Sequence, residues 1–278
     1  MCENCGCAVT EGRAQAADAA ARATGQAGPA AARAHSESVT VLRDLLSEND
    51  RIAAHNRGHF DAHGVLAINL MSSPGAGKTA LLERTIEALG ARLRMAVVEG
   101  DLATENDARR IRAKGVPAVQ ITTGSACHLD ARMVHDALHE IALEGLDLLF
   151  IENVGNLVCP ASFDLGQHLD VTLLSVPEGD DKPQKYPVMF RASDLLLLSK
   201  ADLLPLLPEF DPARAEASLR EIGSSVPVIR VSSRAAGGIA SWCEWLMTHL
   251  ARTRPMSGSS RAGEPRRGRG ISAAGAGL

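Results

Sequence analysis

The sequence predicts an α/β fold with a mostly parallel sheet flanked by helices. Three observations lead there. Seven apolar runs recur along the 278 residues, at 65–71, 95–98, 116–121, 146–151, 171–176, 195–198 and 226–231. Most are continuous rather than alternating in polarity, which suits strands covered on both faces. Helical patterns separate several of the runs, and strand–helix alternation is what a parallel sheet requires.

Along the chain, the first run is followed by Ser72-Ser73-Pro74-Gly75-Ala76-Gly77-Lys78-Thr79 and then by a helical pattern, Ala80 to Leu89. This is a phosphate-binding loop in the context it needs, strand before and helix after. Small residues let the backbone N–H groups of Gly75, Ala76, Gly77 and Ala80 curl around an anion. Lys78 reaches the β- and γ-phosphates, and the Thr79 hydroxyl ligates Mg²⁺. The helix dipole adds to both. The first glycine of the usual pattern is replaced by Ser72.

Ahead of this loop, a helix is expected from about Val41 to Ala62, with Ser36 or Ser38 as N-cap. It places His55, His59 and His63 four residues apart on one face, a solvated polar stripe by default. After the loop, run 95–98 ends in Glu99-Gly100-Asp101. Asp101 stands where a carboxylate holds Mg²⁺ or orients an attacking water. Asp130 to Leu143 reads as a helix with Val134, Leu138 and Ile141 on one stripe. His135 and His139 sit beside that stripe, on what reads as a polar helix face.

Run 146–151 leads into Glu152-Asn153-Val154-Gly155, an acid three residues before a glycine. That spacing is like the γ-phosphate sensor of GTPases, with Glu152 in place of Asp. Run 195–198 leads into Ser199-Lys200-Ala201-Asp202. A carboxylate there accepts N1–H and the exocyclic amine of guanine, donors that adenine does not offer as a pair. Lys200 lies along the base, and Ser232-Ser233 stand where a last base-contacting loop belongs. Order and spacing therefore point to GTP rather than ATP. Residue 156 is Asn, not the water-orienting Gln of many regulatory GTPases, and no arginine finger is evident, so intrinsic hydrolysis is expected below ~1 s⁻¹. Helices are further expected over 212–222 and 239–250, with Cys243 between Trp242 and Trp245 as core.

Three of the six cysteines, Cys2, Cys5 and Cys7, fall within the first seven residues. Clustered thiols outside an oxidising compartment point to metal. With the terminal amine they make a mixed N/S set that suits Ni²⁺ in a square plane, or Zn²⁺ if tetrahedral. Cys127-His128 and Cys159 lie beyond strand ends on the nucleotide-bearing side and form a second Zn/Ni-competent group, incomplete without water or a second subunit.

The organisation expected is a metal-binding motif and flexible linker over 1–35, a GTPase domain over 36–251, and a disordered Arg/Gly-rich tail over 252–278. Net charge is −4, but residues 251–278 hold six Arg and one Glu, a net +5, so the remainder carries −9. An acidic body argues against nucleic acid. No apolar run reaches the ~18 residues of a membrane span, and no secretory signal pattern is seen, which points to the cytoplasm.

Together these residues resemble the hydrogenase nickel-incorporation GTPase family (HypB). The resemblance rests on Cys2-x-x-Cys5-Gly6-Cys7, on Asn56-Arg57 through Thr79, on Glu99-Gly100-Asp101, on Cys127-His128-Leu129-Asp130, on Glu152 through Pro160, and on Glu178-Gly179-Asp180-Asp181-Lys182-Pro183. It implies a SIMIBI-type P-loop GTPase fold and a nickel metallochaperone that hydrolyses GTP during [NiFe]-hydrogenase assembly. It also implies a strong nickel site at Cys2, Cys5 and Cys7 and a weaker Ni/Zn site at Cys127, His128 and Cys159. The implied partners are a second copy in a GTP-promoted homodimer, a HypA-type zinc protein and the hydrogenase large-subunit precursor. Lys182 and Lys185 would lie on the dimer face. Only His35 occupies the stretch where some relatives carry a histidine-rich tract. A urease-type nickel GTPase, and a metal buffer that binds GTP without useful hydrolysis, remain the alternatives.

Overall fold

The computed structural model describes residues 29–124 and 126–253, the stretch 29–43 as backbone only. The motif Cys2, Cys5 and Cys7 and the Arg/Gly-rich tail beyond residue 253 lie outside the described residues.

All seven apolar runs are strands: β1 (Leu66–Ser72), β2 (Met95–Asp101), β3 (Ala118–Thr122), β4 (Leu148–Glu152), β5 (Leu169–Ser175), β6 (Leu195–Ser199) and β7 (Val228–Arg230). They form one sheet in the order β3-β2-β4-β1-β5-β6-β7, and every pairing is parallel. The helices are α1 (Pro29–His63), α2 (Lys78–Leu89), α3 (Asn106–Arg112), α4 (Ala131–Leu138), α5 (Lys182–Lys185), α6 (Pro187–Ala192), α7 (Pro212–Glu221) and α8 (Ala240–Thr253).

The pleat sorts each strand between two cores. Leu66, Ile68 and Leu70 of β1 face α2 and α8 together with Leu82, Ile86, Phe150 and Trp242. Val65 and Ala67 face the other way, toward Phe60 of α1 and Val134 of α4. Both sides of β1 are therefore buried, which is why its sequence reads as a continuous apolar run. Trp242 is fully buried and donates from Nε1 to Thr85 Oγ1 at 2.9 Å, so its one polar atom is satisfied.

Two helix boundaries differ from the sequence expectation, and one helix was not foreseen. Helix α1 begins at Pro29 rather than near Val41. Proline is tolerated at the first helical position and the alanines after it are the best helix formers. Helix α4 stops at Leu138 rather than Leu143, passing into tighter turns with Glu140 N–H to Ala137 O and Ile141 N–H to Leu138 O. Ile141 and Leu143 stay buried through those turns. Helix α3 is too short to show a periodic stripe, and the sequence gives no sign of it. No described helix is long and apolar enough to cross a membrane.

Strand β1 lies between β4 and β5, where successive connections run to opposite edges of the sheet. In open α/β sheets the crevice beyond such a strand's carboxyl end is where ligands bind.

Candidate functional site

The loop after β1 has the conformation its sequence calls for. Gly75 and Gly77 adopt φ of 76° and 101°, left-handed values that glycine takes without a Cβ penalty. Lys78 and Thr79, at the start of α2, are buried. Lys78 Nζ donates to Ser72 Oγ at 3.1 Å, and Ser72 Oγ donates to Ser73 O at 2.7 Å. Ser72, the departure from the usual glycine, thus props the lysine across the loop. Ser73 is hydrogen-bonded to Glu178, whose other carboxylate oxygen accepts from Ser175 N–H and Oγ at 3.0 and 2.6 Å. The loop is moored on that side to the end of β5.

Thr79 Oγ1 donates to Glu152 Oε1 at 2.8 Å. Glu152, Glu99 and Asp107 bring carboxylate oxygens within 4.8 Å of one another. Burial raises Glu99 to about 8, with the Glu152 carboxylate adding to the push. Burial likewise raises Glu152 to about 7, against the opposing pull of Lys78 and Thr79. Among the described residues, Glu99 Oε2 and Glu152 Oε2 are buried with no hydrogen-bond partner. Unsatisfied buried oxygens beside the Thr79 hydroxyl are the donor set a hard divalent cation takes, so Mg²⁺ fits here. Asp101 is held apart from this group: its carboxylate accepts from Leu102 N–H and Thr104 Oγ1, each at 2.6 Å. In the sequence Asp107 went unmarked and Glu99 had no role beyond its place in the Glu99-Gly100-Asp101 run, although an acid inside an apolar strand was the available signal.

A cavity of about 370 Å³ opens beside the phosphate loop, lined in part by Ala76, Gly77, Ala80, Lys200, Asp202 and Ser233. Asp202 Oδ1 accepts from Ser232 Oγ at 2.6 Å, and Ser232 Oγ accepts from the N–H groups of Arg234 and Ala235. Ser232 therefore shapes the base loop and aims Asp202, whereas Ser233 lines the cavity. Ser199 Oγ donates to Ala76 O at 2.7 Å, tying the base segment to the phosphate loop where the usual motif has Asn. Lys200 takes φ of 56°, the one positive value among described non-glycine residues.

The thiols expected to act together do meet. Cys127 Sγ and Cys159 Sγ are 3.2 Å apart, well beyond the ~2.05 Å of a disulfide. Cys127 Sγ stands 3.9 Å from His128 Nδ1, and the three donor atoms lie within 4.8 Å of one another. The His128 ring stacks on Phe163 with centroids 4.0 Å apart, and burial lowers its pKa. The donor set, two sulfurs and an imidazole, is one for Ni²⁺ or Zn²⁺.

Segment 152–159 joins the two sites. Gly155 packs against the phosphate loop: a Cβ there would meet Pro74 Cα at 2.8 Å. Asn156 N–H donates to Ser72 O at 2.8 Å while its side-chain amide donates to Cys127 O at 3.2 Å. Asn153, also buried, accepts from Leu129 N–H at 3.1 Å and from Val154 N–H at 2.9 Å.

A family profile described as "CobW/HypB/UreG, nucleotide-binding domain" matches residues 66–230. Hydrogenase maturation factor HypB of Azotobacter chroococcum mcd 1 is 55% identical over 225 residues, covering 79% of this chain and 73% of that protein. The chain belongs to the HypB family of hydrogenase maturation factors. The family's hydrogenase/urease maturation factor from Helicobacter pylori is 44% identical over 200 residues, covering 70% of this chain and 81% of that one. A crystal structure of HypB from Helicobacter pylori in complex with nickel superposes with a TM-score of 0.70 at 42% identity, covering 74% of this chain and 96% of that one. The fold is thus that of a HypB P-loop GTP-binding domain.

Within this HypB fold the Glu178–Tyr186 segment, whose Lys182 and Lys185 the resemblance puts on a dimer face, is partly anchored. Asp180 is buried and bonded to Arg214 at 2.6 Å and to Asp211 N–H at 2.8 Å. Lys185 pairs with Asp181 at 2.5 Å, and Lys182 lies 6.0 Å over the Tyr186 ring. Cys243 is half-buried against the α2/α8 core, as expected of a packing residue.

Proposed function

We propose that this chain is a GTP-hydrolysing nickel metallochaperone for [NiFe]-hydrogenase assembly, in which the nucleotide state sets the affinity of the Cys127/His128/Cys159 group for its cargo ion. One observation carries the reading. Asn156 touches the phosphate loop through its backbone and the metal-site loop through its side chain.

The phosphate loop's backbone N–H groups and Lys78 hold the β- and γ-phosphates, and Asp202 with Lys200 reads the guanine. Thr79, Glu152 and Glu99 would hold Mg²⁺, which when bound neutralises charge on the phosphate oxygens. Asp101 orients the attacking water. Because residue 156 is Asn and no arginine finger is evident among the described residues, hydrolysis by the isolated chain is slower than ~1 s⁻¹. A γ-phosphate displaces the 152–156 backbone, and that displacement reaches Cys127 through the Asn156 amide and Cys159 through the chain itself. Nickel or zinc held between the thiols is thereby gripped or released.

Cys2, Cys5 and Cys7 form the tighter nickel site. GTP promotes a homodimer through a face that includes Lys182 and Lys185. A HypA-type partner and the hydrogenase large-subunit precursor receive the ion in the cytoplasm. Residues 1–35 act as carrier and linker and 36–251 as the GTPase domain.

The test is phosphate release together with nickel titration in the GDP and GTP-analogue states. Lys78→Ala is expected to abolish release. Nickel affinity is expected to differ between the two states in the parent and to be equal in Cys159→Ser. Release unchanged by Lys78→Ala leaves a metal buffer as the better reading. Identical nickel affinity in both states overturns the coupling.

A further inference from the structure

The sequence sets His55, His59 and His63 on one polar stripe of a helix and His135 and His139 on another, with nothing to join them. The fold joins them differently. Helix α1 packs on α4, and His55, His59 and His135 bring one ring nitrogen each within 4.8 Å of one another, while His63 falls outside that group, its Nδ1 2.8 Å from His59 O and its Nε2 3.9 Å from Glu144. His55 Nε2 and His59 Nε2 are 3.1 Å apart. Two nitrogens bound to one ion at ~2.05 Å stand ~2.9 Å apart at a right angle and ~3.3 Å at a tetrahedral angle. The observed spacing falls between the two.

The third ligand is oriented from behind. His135 Nδ1 lies 3.1 Å from Asn56 Oδ1. Asn56 is fully buried, and its amide nitrogen donates to Ala131 O and Leu165 O at 2.9 and 3.1 Å. With the amide committed as donor, Oδ1 is left as acceptor, so His135 carries its proton on Nδ1 and turns Nε2 toward the other two rings. A buried side chain that fixes tautomer and ring plane is the support metal-ligating histidines have.

We propose that His55, His59 and His135 form a histidine-only site for a borderline divalent cation, Ni²⁺ or Zn²⁺, separate from the Cys127/His128/Cys159 group. Three imidazoles without carboxylate or thiolate select such ions over Mg²⁺ and Ca²⁺. Three protein ligands leave a fourth position for water or for His139, whose ring is 5.1 Å from that of His135. Arg51 and Arg132 line the cleft at His55, and the Arg51 guanidinium is held by Glu48 at 2.7 and 2.9 Å rather than turned on the rings. The ion would clasp α1 to α4. His135 lies about one turn into the helix that Cys127 and His128 directly precede, so the two sites would be neighbours on one short element.

The site is tested on the full chain with Cys2, Cys5, Cys7, Cys127 and Cys159 all replaced by Ser. The remaining Cys243 lies on α8, on the opposite face of the sheet. Because that variant has no thiol site, the result is independent of any coupling between GTP and cargo. Co²⁺ and Ni²⁺ titrations are expected to give one bound ion per chain, with ligand-field absorption, no thiolate charge-transfer band, and a raised thermal midpoint. His59→Gln is expected to weaken binding at least tenfold and remove the thermal shift, and His135→Gln to do the same. His63→Gln is the control and retains both. His59 is partly exposed and bonds no buried group, so its variant folds even if the loss of the Asn56 contact unsettles His135→Gln. No binding by the five-serine variant, binding unchanged in His59→Gln, or equal loss in His63→Gln each overturns the site.

Discussion

Gly155→Ala tests the contact between the γ-phosphate segment and the phosphate loop. The glycine's φ lies outside the left-handed region, so alanine takes the backbone without strain. The obstacle is steric. The new Cβ would sit 2.8 Å from Pro74 Cα, 2.9 Å from its N and 3.0 Å from its Cγ, where ordinary contact begins at 3.4 Å. Something must give by about 0.6 Å, the difference between the first and last of those distances. Two of the three atoms are backbone, so a rotamer change cannot absorb it. Overpacking of this kind costs ~1–3 kcal/mol. The loop moves more readily than the end of β4, because Glu152 and Asn153 are buried and bonded on both sides. The cost then falls on the loop's phosphate-binding conformation, a loss of ~5- to 150-fold in nucleotide affinity. Titration with a fluorescent guanine nucleotide measures the affinity, and urea unfolding of the nucleotide-free protein measures stability. Affinity within threefold of the parent refutes the reasoning, whether or not stability has dropped.

Asp202→Asn is expected to lower GTP affinity by two orders of magnitude or more while leaving ATP affinity unchanged, because the carboxamide keeps one acceptor where guanine presents two donors. Competition binding with the two nucleotides reads this out, and an unchanged GTP preference contradicts the assignment. Trp242→Ala is expected to cost ~3–5 kcal/mol in urea unfolding, since it empties the α2/α8 core beside Phe150, while Thr85 Oγ1 keeps its bond to Leu81 O; a loss under ~1 kcal/mol would mean the core collapses around the gap. For Asp180, burial pushes the carboxyl up, but Arg214 and the Asp211 N–H more than offset it and hold the pKa below its ordinary value. A depressed carboxylate stabilises the fold above its unfolded value and loses that contribution as pH falls through the folded one. Arg214→Ala should therefore lower stability at pH 7, and its deficit against the parent should narrow below about pH 4. A deficit constant from pH 7 to pH 3 argues against the ion pair.

The five inner strands were legible because they are buried on both faces, so composition alone marks them; the edge strands β3 and β7 are only partly buried yet keep enough apolar residues to read as runs. The phosphate loop was legible because its chemistry is local: eight consecutive residues carry the turn, the lysine and the hydroxyl. Asp202 and the Cys127/His128/Cys159 group were legible from their places after strands, since parallel strands deliver their carboxyl ends to one rim. Glu99 was not, because its role depends on Glu152 and Asp107 arriving beside it from other elements. The histidine cluster was hidden for the same reason. Spacing along α1 pairs His55 with both His59 and His63, and only the packing of α1 on α4 decides that His135 replaces His63. The ends of α1 and α4 were misjudged where alanine propensity and a tightened last turn outweighed the apolar stripe.

Segment 152–159 is a short tether. Its first residue accepts a hydrogen bond from Thr79 and the sulfur of its last lies 3.2 Å from that of Cys127, and eight residues extend to no more than ~28 Å even when fully stretched. In the proposed coupling, length more than side-chain identity synchronises the two ends. A single residue inserted between 156 and 159 would leave each pocket intact yet let one stir without the other noticing.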